Sequence, residues 1–100
     1  METKKKNQKV KKITLSSGLD ALLVPLKETR TVTVLILVRA GSEYEKKEIN
    51  GISHFLEHMC FKGTIKRPTS KEISSLMDSL GANFNAFTSQ EHTGYYVKVD

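Results

Sequence analysis

Asn50 to Gly63 reads NGISHFLEHMCFKG, and how this stretch folds decides how the rest of the chain must be arranged around it. Its apolar residues fall at Ile52, Phe55, Leu56, Met59 and Cys60, the i, i+3, i+4, i+7, i+8 spacing of an amphipathic helix. At ~100° per residue, Glu57 lies ~60° to one side of His54 and His58 ~40° to the other, so the three polar side chains share one face. The apolar stripe on the other side is expected to rest on a core. Asn50 is the expected N-cap, and Gly63 the expected stop.

Upstream of the helix, Lys11 to Leu15 and Leu19 to Leu26 flank Ser16-Ser17-Gly18, the pattern of a β-hairpin, with Pro25 suited to a strand end. Thr31 to Val38, TVTVLILV, is β-branched and nearly apolar on both faces, which predicts a central strand covered from both sides. Ala40-Gly41-Ser42 breaks it, and Glu43 to Glu48 reads as a charged surface loop. Downstream, Pro68 leads into Thr69-Ser70-Lys71-Glu72, a capping box. Ile73, Leu76, Met77 and Leu80 then form one helical stripe that Gly81 ends. From Ala82 the pattern alternates: Ala82, Phe84 and Ala86 against Asn83, Asn85 and Phe87. After the connection Thr88 to His92, Thr93, Tyr95, Val97 and Val99 alternate in the same way. The order β-β-β-α-α-β-β predicts an α+β fold, with helices packed on one face of a largely antiparallel sheet. With no helix after the last strand, the chain reads as the incomplete N-terminal portion of a larger domain.

The formal net charge is +5, and all of it resides in residues 1–12, where six lysines face one glutamate. This separates a solvated lysine-rich tail, 1–12, from a charge-balanced domain, 13–100. A basic folded face for nucleic acid is therefore not expected. No apolar run approaches the ~20 residues of a membrane span, and the tail is not followed by the ~7–15 apolar residues of a secretory signal. The single cysteine, Cys60, falls on the apolar side of the helix as a buried reduced thiol. Together these features make a cytoplasmic location the expectation.

Helical histidines at i and i+4 have Cβ atoms ~5–6 Å apart, close enough for both rings to reach one zinc at ~2.0–2.1 Å. Glu57 is turned away from the bisector of the pair, which suits a general base better than a ligand. With three His and eight Glu in the chain, this arrangement arises by chance in roughly one such sequence in a hundred, which favours a metal site over surface histidines. His92 and Glu91 are weaker ligand candidates, read first as exposed loop residues. Ser74 and Ser75 have no base nearby in sequence, and the scattered glycines form no phosphate cradle.

HFLEH from His54 to His58 is the inverted HxxEH arrangement of the inverzincins. With TLSSGLDALLVP from Thr14, AGSEYE from Ala40, GISHFLEHMCFKGT from Gly51 and LGANFNAFTSQEHTGYY from Leu80, the chain resembles the pitrilysin/insulinase family of zinc metallopeptidases over Ile13 to Asp100. The resemblance implies Zn2+ bound by His54 and His58, with Glu57 as catalytic base. It implies that Asn83 to Thr88 is an edge strand to which a peptide or unfolded polypeptide substrate adds, with backbone contacts from Asn85 and Ala86 and with Phe87 nearby. It further implies a third ligand, a glutamate roughly seventy to eighty residues beyond the histidines, and a second half-domain or partner subunit that completes the site. Forty-two residues follow His58, so the isolated chain is expected to be a zinc endopeptidase lacking part of its site, with little activity. Two alternatives share the fold: a non-catalytic scaffold subunit, expected to lose the metal residues that this chain retains, and an edge-strand module that binds peptides without metal.

Overall fold

The computed structural model describes residues 9–100, which fall into two compact units, one ending at Arg30 and one running from Thr31 to Asp100. The first holds an antiparallel hairpin of β1 (Lys11–Thr14) and β2 (Asp20–Leu23), in register from Lys11↔Leu23 to Thr14↔Asp20. Its turn closes by bonds from Leu15 N to Leu19 O at 2.8 Å and from Gly18 N to Leu15 O at 2.9 Å. Gly18 sits at φ 88, a conformation that favours glycine. Both strands are shorter than the sequence suggests, and β1 takes in Lys11 and Lys12 from the lysine-rich segment. Residues 1–8 of that segment lie outside the described residues.

The second unit contains β3 (Val32–Val38), α1 (Ile52–Met59), α2 (Ser70–Ser79), β4 (Asn83–Thr88) and β5 (Thr93–Val99). Two single-turn 3-10 helices, Ser42–Tyr44 and Lys47–Ile49, interrupt the charged loop before α1. The α+β class and the element order are as the periodicities predict. The strands of this unit form one antiparallel sheet in the order β3-β5-β4. The central strand is therefore β5, and β3, expected in the middle, lies at an edge. All seven β3 residues are exposed, with Ile36 at 61%. Its apolar run requires cover on both faces, but among the described elements the helix laid on the sheet is α1, which rests on β4 and β5.

No hydrophobic side chain among the described residues is fully buried. The most enclosed surface is the face of β4 and β5 turned to α1. There Phe84 pairs with Val97, Ala86 with Tyr95 and Thr88 with Thr93, all half-buried or buried. The Phe61 ring stands 5.7 Å from that of Phe84. Thr93, only 3% exposed, donates from Oγ1 to the Ala40 carbonyl at 2.9 Å.

The helix ends divide into two expectations met and two revised. The α2 capping box forms: Glu72 N donates to Thr69 Oγ1 at 3.2 Å and Thr69 N to Glu72 Oε2 at 3.1 Å. Gly81, at φ 63, follows the helix, and Ala82 N reaches back to Met77 O at 2.9 Å. For α1, however, the N-cap is Gly51 at φ 91, with no side-chain cap of its own, rather than Asn50. At the other end Cys60 closes the helix, three residues short of Gly63. Gly63 instead lies against the Pro68 carbonyl, where a Cβ has no room.

The largest revision concerns which side of α1 faces inward. The apolar stripe is exposed, with Phe55 at 65% and Leu56 at 57%. Cys60 is exposed as well, not buried. Ser53, Glu57 and Phe61 are the half-buried positions. The physical reason is that polar bonds anchor the Ser53–Glu57 side, while nothing among the described residues covers the apolar one.

Candidate metal centre

The first turn of α1 carries His54 and the last carries His58, so one helical turn stacks the two rings. Their Nε2 atoms are 2.9 Å apart, with ring centroids 4.5 Å apart and planes inclined at 60°. Each of His54, Glu57 and His58 offers a ligand atom within 4.8 Å of the others, the one such group of three or more among the described residues. Two nitrogens at ~2.0–2.1 Å from one tetrahedral ion stand ~3.3 Å apart, so the imidazoles need to part by only about 0.4 Å to share a zinc. The donor set, two imidazoles on one helix face, fits the ion.

Glu57 faces the sheet. Thr88 Oγ1, at the end of β4, donates a hydrogen bond to Glu57 Oε2. That bond fixes the carboxylate from a strand 31 residues away and leaves Oε1 without a hydrogen-bond partner among the described residues. Tyr95, opposite Ala86 on β5, lies near the same group. Burial, then the Cys60 hydrogen bond and the charges of Cys60 and Glu57, push its phenol above the ordinary value, so it stays a neutral hydroxyl.

At the open edge of the sheet, Ala86 N is bonded by Asn85 Oδ1 at 2.8 Å. This amide is therefore outside the ladder to β5 and points to the edge, as alternate residues of an antiparallel strand must. Phe84, Ala86 and Thr88 direct their side chains to the α1 face, and Asn83, Asn85 and Phe87 to the other. The Phe87 ring packs over Gly94, which has no side chain to obstruct it. Of the three candidate substrate residues, Ala86 sits beneath the helix, Asn85 borders a cleft beside His58, and Phe87 is turned away from the histidines. The cleft, about 340 Å³, is also lined by Phe61, Ile73, Ser74 and Phe84.

His92 and Glu91 are not brought to the pair. They build the β4–β5 turn, where His92 N and Glu91 N both donate to Ser89 Oγ and Ser89 N to His92 O. Sequence reasoning missed Thr88, Tyr95 and Glu45. The carboxylate of Glu45 accepts from Gly51 N at 2.6 Å and from Ser53 N at 2.9 Å, occupying the start of α1 where Asn50 was expected to act. The alternation that puts Ala86 on one face also puts Thr88 there, which was the available signal for that residue; nothing local marks the other two.

Comparison with known proteins bears on this site. The family model described as Insulinase (Peptidase family M16) matches residues 21–100. The chain is 47% identical over 88 residues to the mitochondrial-processing peptidase subunit beta of Dictyostelium discoideum, covering 86% of this chain and 18% of that one. It is 44% identical over 90 residues to an uncharacterized zinc protease, YmxG, of Bacillus subtilis, covering 90% of this chain and 22% of the relative. The core protein I of the ubiquinol-cytochrome-c reductase complex of Euglena gracilis is 51% identical over 72 residues, 72% of this chain and 14% of that protein. A crystal structure of a protease from Helicobacter pylori superimposes with a TM-score of 0.85 at 35% identity, over 93% of this chain and 22% of that one. The chain thus spans about a fifth of the length of the relatives it matches.

Proposed function

Because the chain belongs to the insulinase family, peptidase family M16, we propose that it contributes the metal-binding helix and the substrate strand of a zinc-dependent endopeptidase. The observation that carries this reading is the pair of Nε2 atoms 2.9 Å apart on α1, beside a carboxylate anchored to an edge strand. His54 and His58 would hold the ion, and several relatives, the Bacillus one among them, are named zinc proteases. A zinc held there would supply Lewis-acid chemistry, acidifying a water and polarising a carbonyl. Glu57, with Oε2 engaged by Thr88, would offer Oε1 as the base that accepts a proton and later gives it to a leaving amine. The substrate is an extended peptide added alongside β4, its first contact the outward amide of Ala86.

Completion of the site falls to further polypeptide, a second half-domain or a partner subunit. Two points support this: a catalytic zinc takes three protein ligands plus water, and the apolar residues of α1 and β3 are exposed among the described residues. Relatives named as a processing-peptidase subunit and as a core protein of a complex are consistent with it. The test is made on the assembled enzyme, where zinc should survive dialysis and cleavage of an unfolded peptide should disappear in Glu57→Gln; the same two results from the isolated chain would overturn the need for further polypeptide. The runner-up, a metal-independent peptide-binding module, is favoured by the open β4 edge alone. It predicts peptide binding unchanged by His54→Ala and by chelator.

A further inference from the structure

We infer that Glu45 is a positioning residue for His54, an inference that rests on the zinc-site reading above. At eight residues α1 is far shorter than a helix that stands by itself in water. Its N-cap glycine offers no side chain to the free amides of the first turn. Those amides are met from outside the helix: the two carboxylate oxygens of Glu45 take Gly51 N at 2.6 Å and Ser53 N at 2.9 Å. A negative charge there also complements the positive end of the helix dipole. Hydrogen bonds from the Ser53 side chain first, then from the Ser53 and Gly51 amides, hold the Glu45 carboxyl below its ordinary value.

His54 follows Ser53 directly, so the turn that Glu45 closes is the turn that carries one ligand. His58 lies a full turn on. Its end of the helix has its own bonds, from Cys60 N to Leu56 O at 3.1 Å and from Phe61 N to His58 O at 3.2 Å. Fraying from the start of α1 therefore reaches His54 well before His58.

Glu45 is itself braced. Its amide donates to Ser42 O at 3.3 Å, while Ser42 N and Glu43 N donate to Ser89 O at 3.4 Å and Gln90 O at 3.0 Å in the β4–β5 turn. Gly41 is buried against those same two carbonyls, with no room for a Cβ. The β4–β5 hairpin thus reaches α1 twice, through Thr88 on Glu57 and through the Ser42–Glu45 segment on the helix start. The base and one ligand are positioned from the same strand pair.

The experiment is NMR of the isotopically labelled full chain. In metal-free protein, Glu45→Gln leaves one acceptor oxygen where two stood. Amide exchange at Gly51 and Ser53 is expected to quicken, and the proton contact between the His54 and His58 rings to vanish, with β3–β5 cross-peaks unmoved. Zinc affinity is expected to fall about 10–100-fold, the range for removal of an outer-shell support, with His54 losing its response and His58 keeping it. Glu45→Asp, which keeps the charge on a shorter arm, should fall between. Unchanged exchange and ring contact in both variants would overturn the inference. So would equal loss at both histidines and across the sheet, since that describes general destabilisation. If wild-type chain binds no zinc while Glu45→Gln still displaces His54, the zinc-site reading fails and the positioning role stands.

Discussion

The two edges of the β3-β5-β4 sheet pair with the same central strand yet differ in almost every other respect. β3 presents seven exposed residues, apolar on both faces, with no helix laid against it among the described elements. In β4, half-buried and exposed residues alternate, α1 lies on one face, and an edge-facing amide is occupied by a neighbouring asparagine. An open edge alone therefore does not define a peptide site. What distinguishes β4 is the chemistry beside it: the histidine pair and a glutamate anchored by the strand's own threonine. A long, apolar edge such as β3 invites pairing with more protein, whereas β4 keeps its edge polar and in reach of the histidine pair.

The difference between the edges can be broken from the β4 side first. In the assembled enzyme, Glu57→Gln is expected to lower hydrolysis of an unfolded peptide about 10²–10⁴-fold, the usual weight of general base catalysis, with zinc content by atomic absorption unchanged. Thr88→Val removes the hydroxyl that fixes Glu57, a hydrogen bond to a charged group of the kind contributing ~1.5–3 kcal/mol. At ~1.4 kcal/mol per tenfold, kcat should drop at least tenfold with KM little changed, and Thr88→Ser should restore it. Ala86→Pro deletes the amide that faces the edge without touching the ladder to β5, so peptide affinity by calorimetry should fall about fivefold at ~1 ± 0.5 kcal/mol per bond. From the other side, Leu35→Lys on β3 should leave peptide affinity unchanged and reduce self-association in sedimentation.

The smallest expected effect is with acid. The Glu45 carboxyl lies below its ordinary value in the fold, so its contribution to α1 is complete above the ordinary glutamate range. That contribution is lost as the pH falls through the depressed value. Helix content followed by circular dichroism should decline over that acid range, and the decline should be shallower in Glu45→Gln.

Much of this architecture is legible in the sequence, because alternation and 3.6-residue periodicity record local geometry directly. The Thr69–Glu72 box, the Asn83–Thr88 and Thr93–Val99 strands and the shared face of His54, Glu57 and His58 are of that kind. What escaped depends on contacts. The run at Val32–Val38 records a need for cover on two faces, which a central strand and an uncovered edge strand share. The periodicity of α1 separates two faces without saying which one the sheet takes. Polar bonds from Glu45 and Thr88 settle that, across 8 and 31 residues. Asn50 had the right residue type for a cap, but a 3-10 turn brings Glu45 to the helix start first.

A zinc titration followed on the imidazole resonances tests the central claim most directly, since the chain has only three histidines. The account predicts that His54 and His58 shift together along one binding curve, while His92 in the β4–β5 turn does not respond. A shift of His92 with either of the others, or no response from the α1 pair, would contradict it.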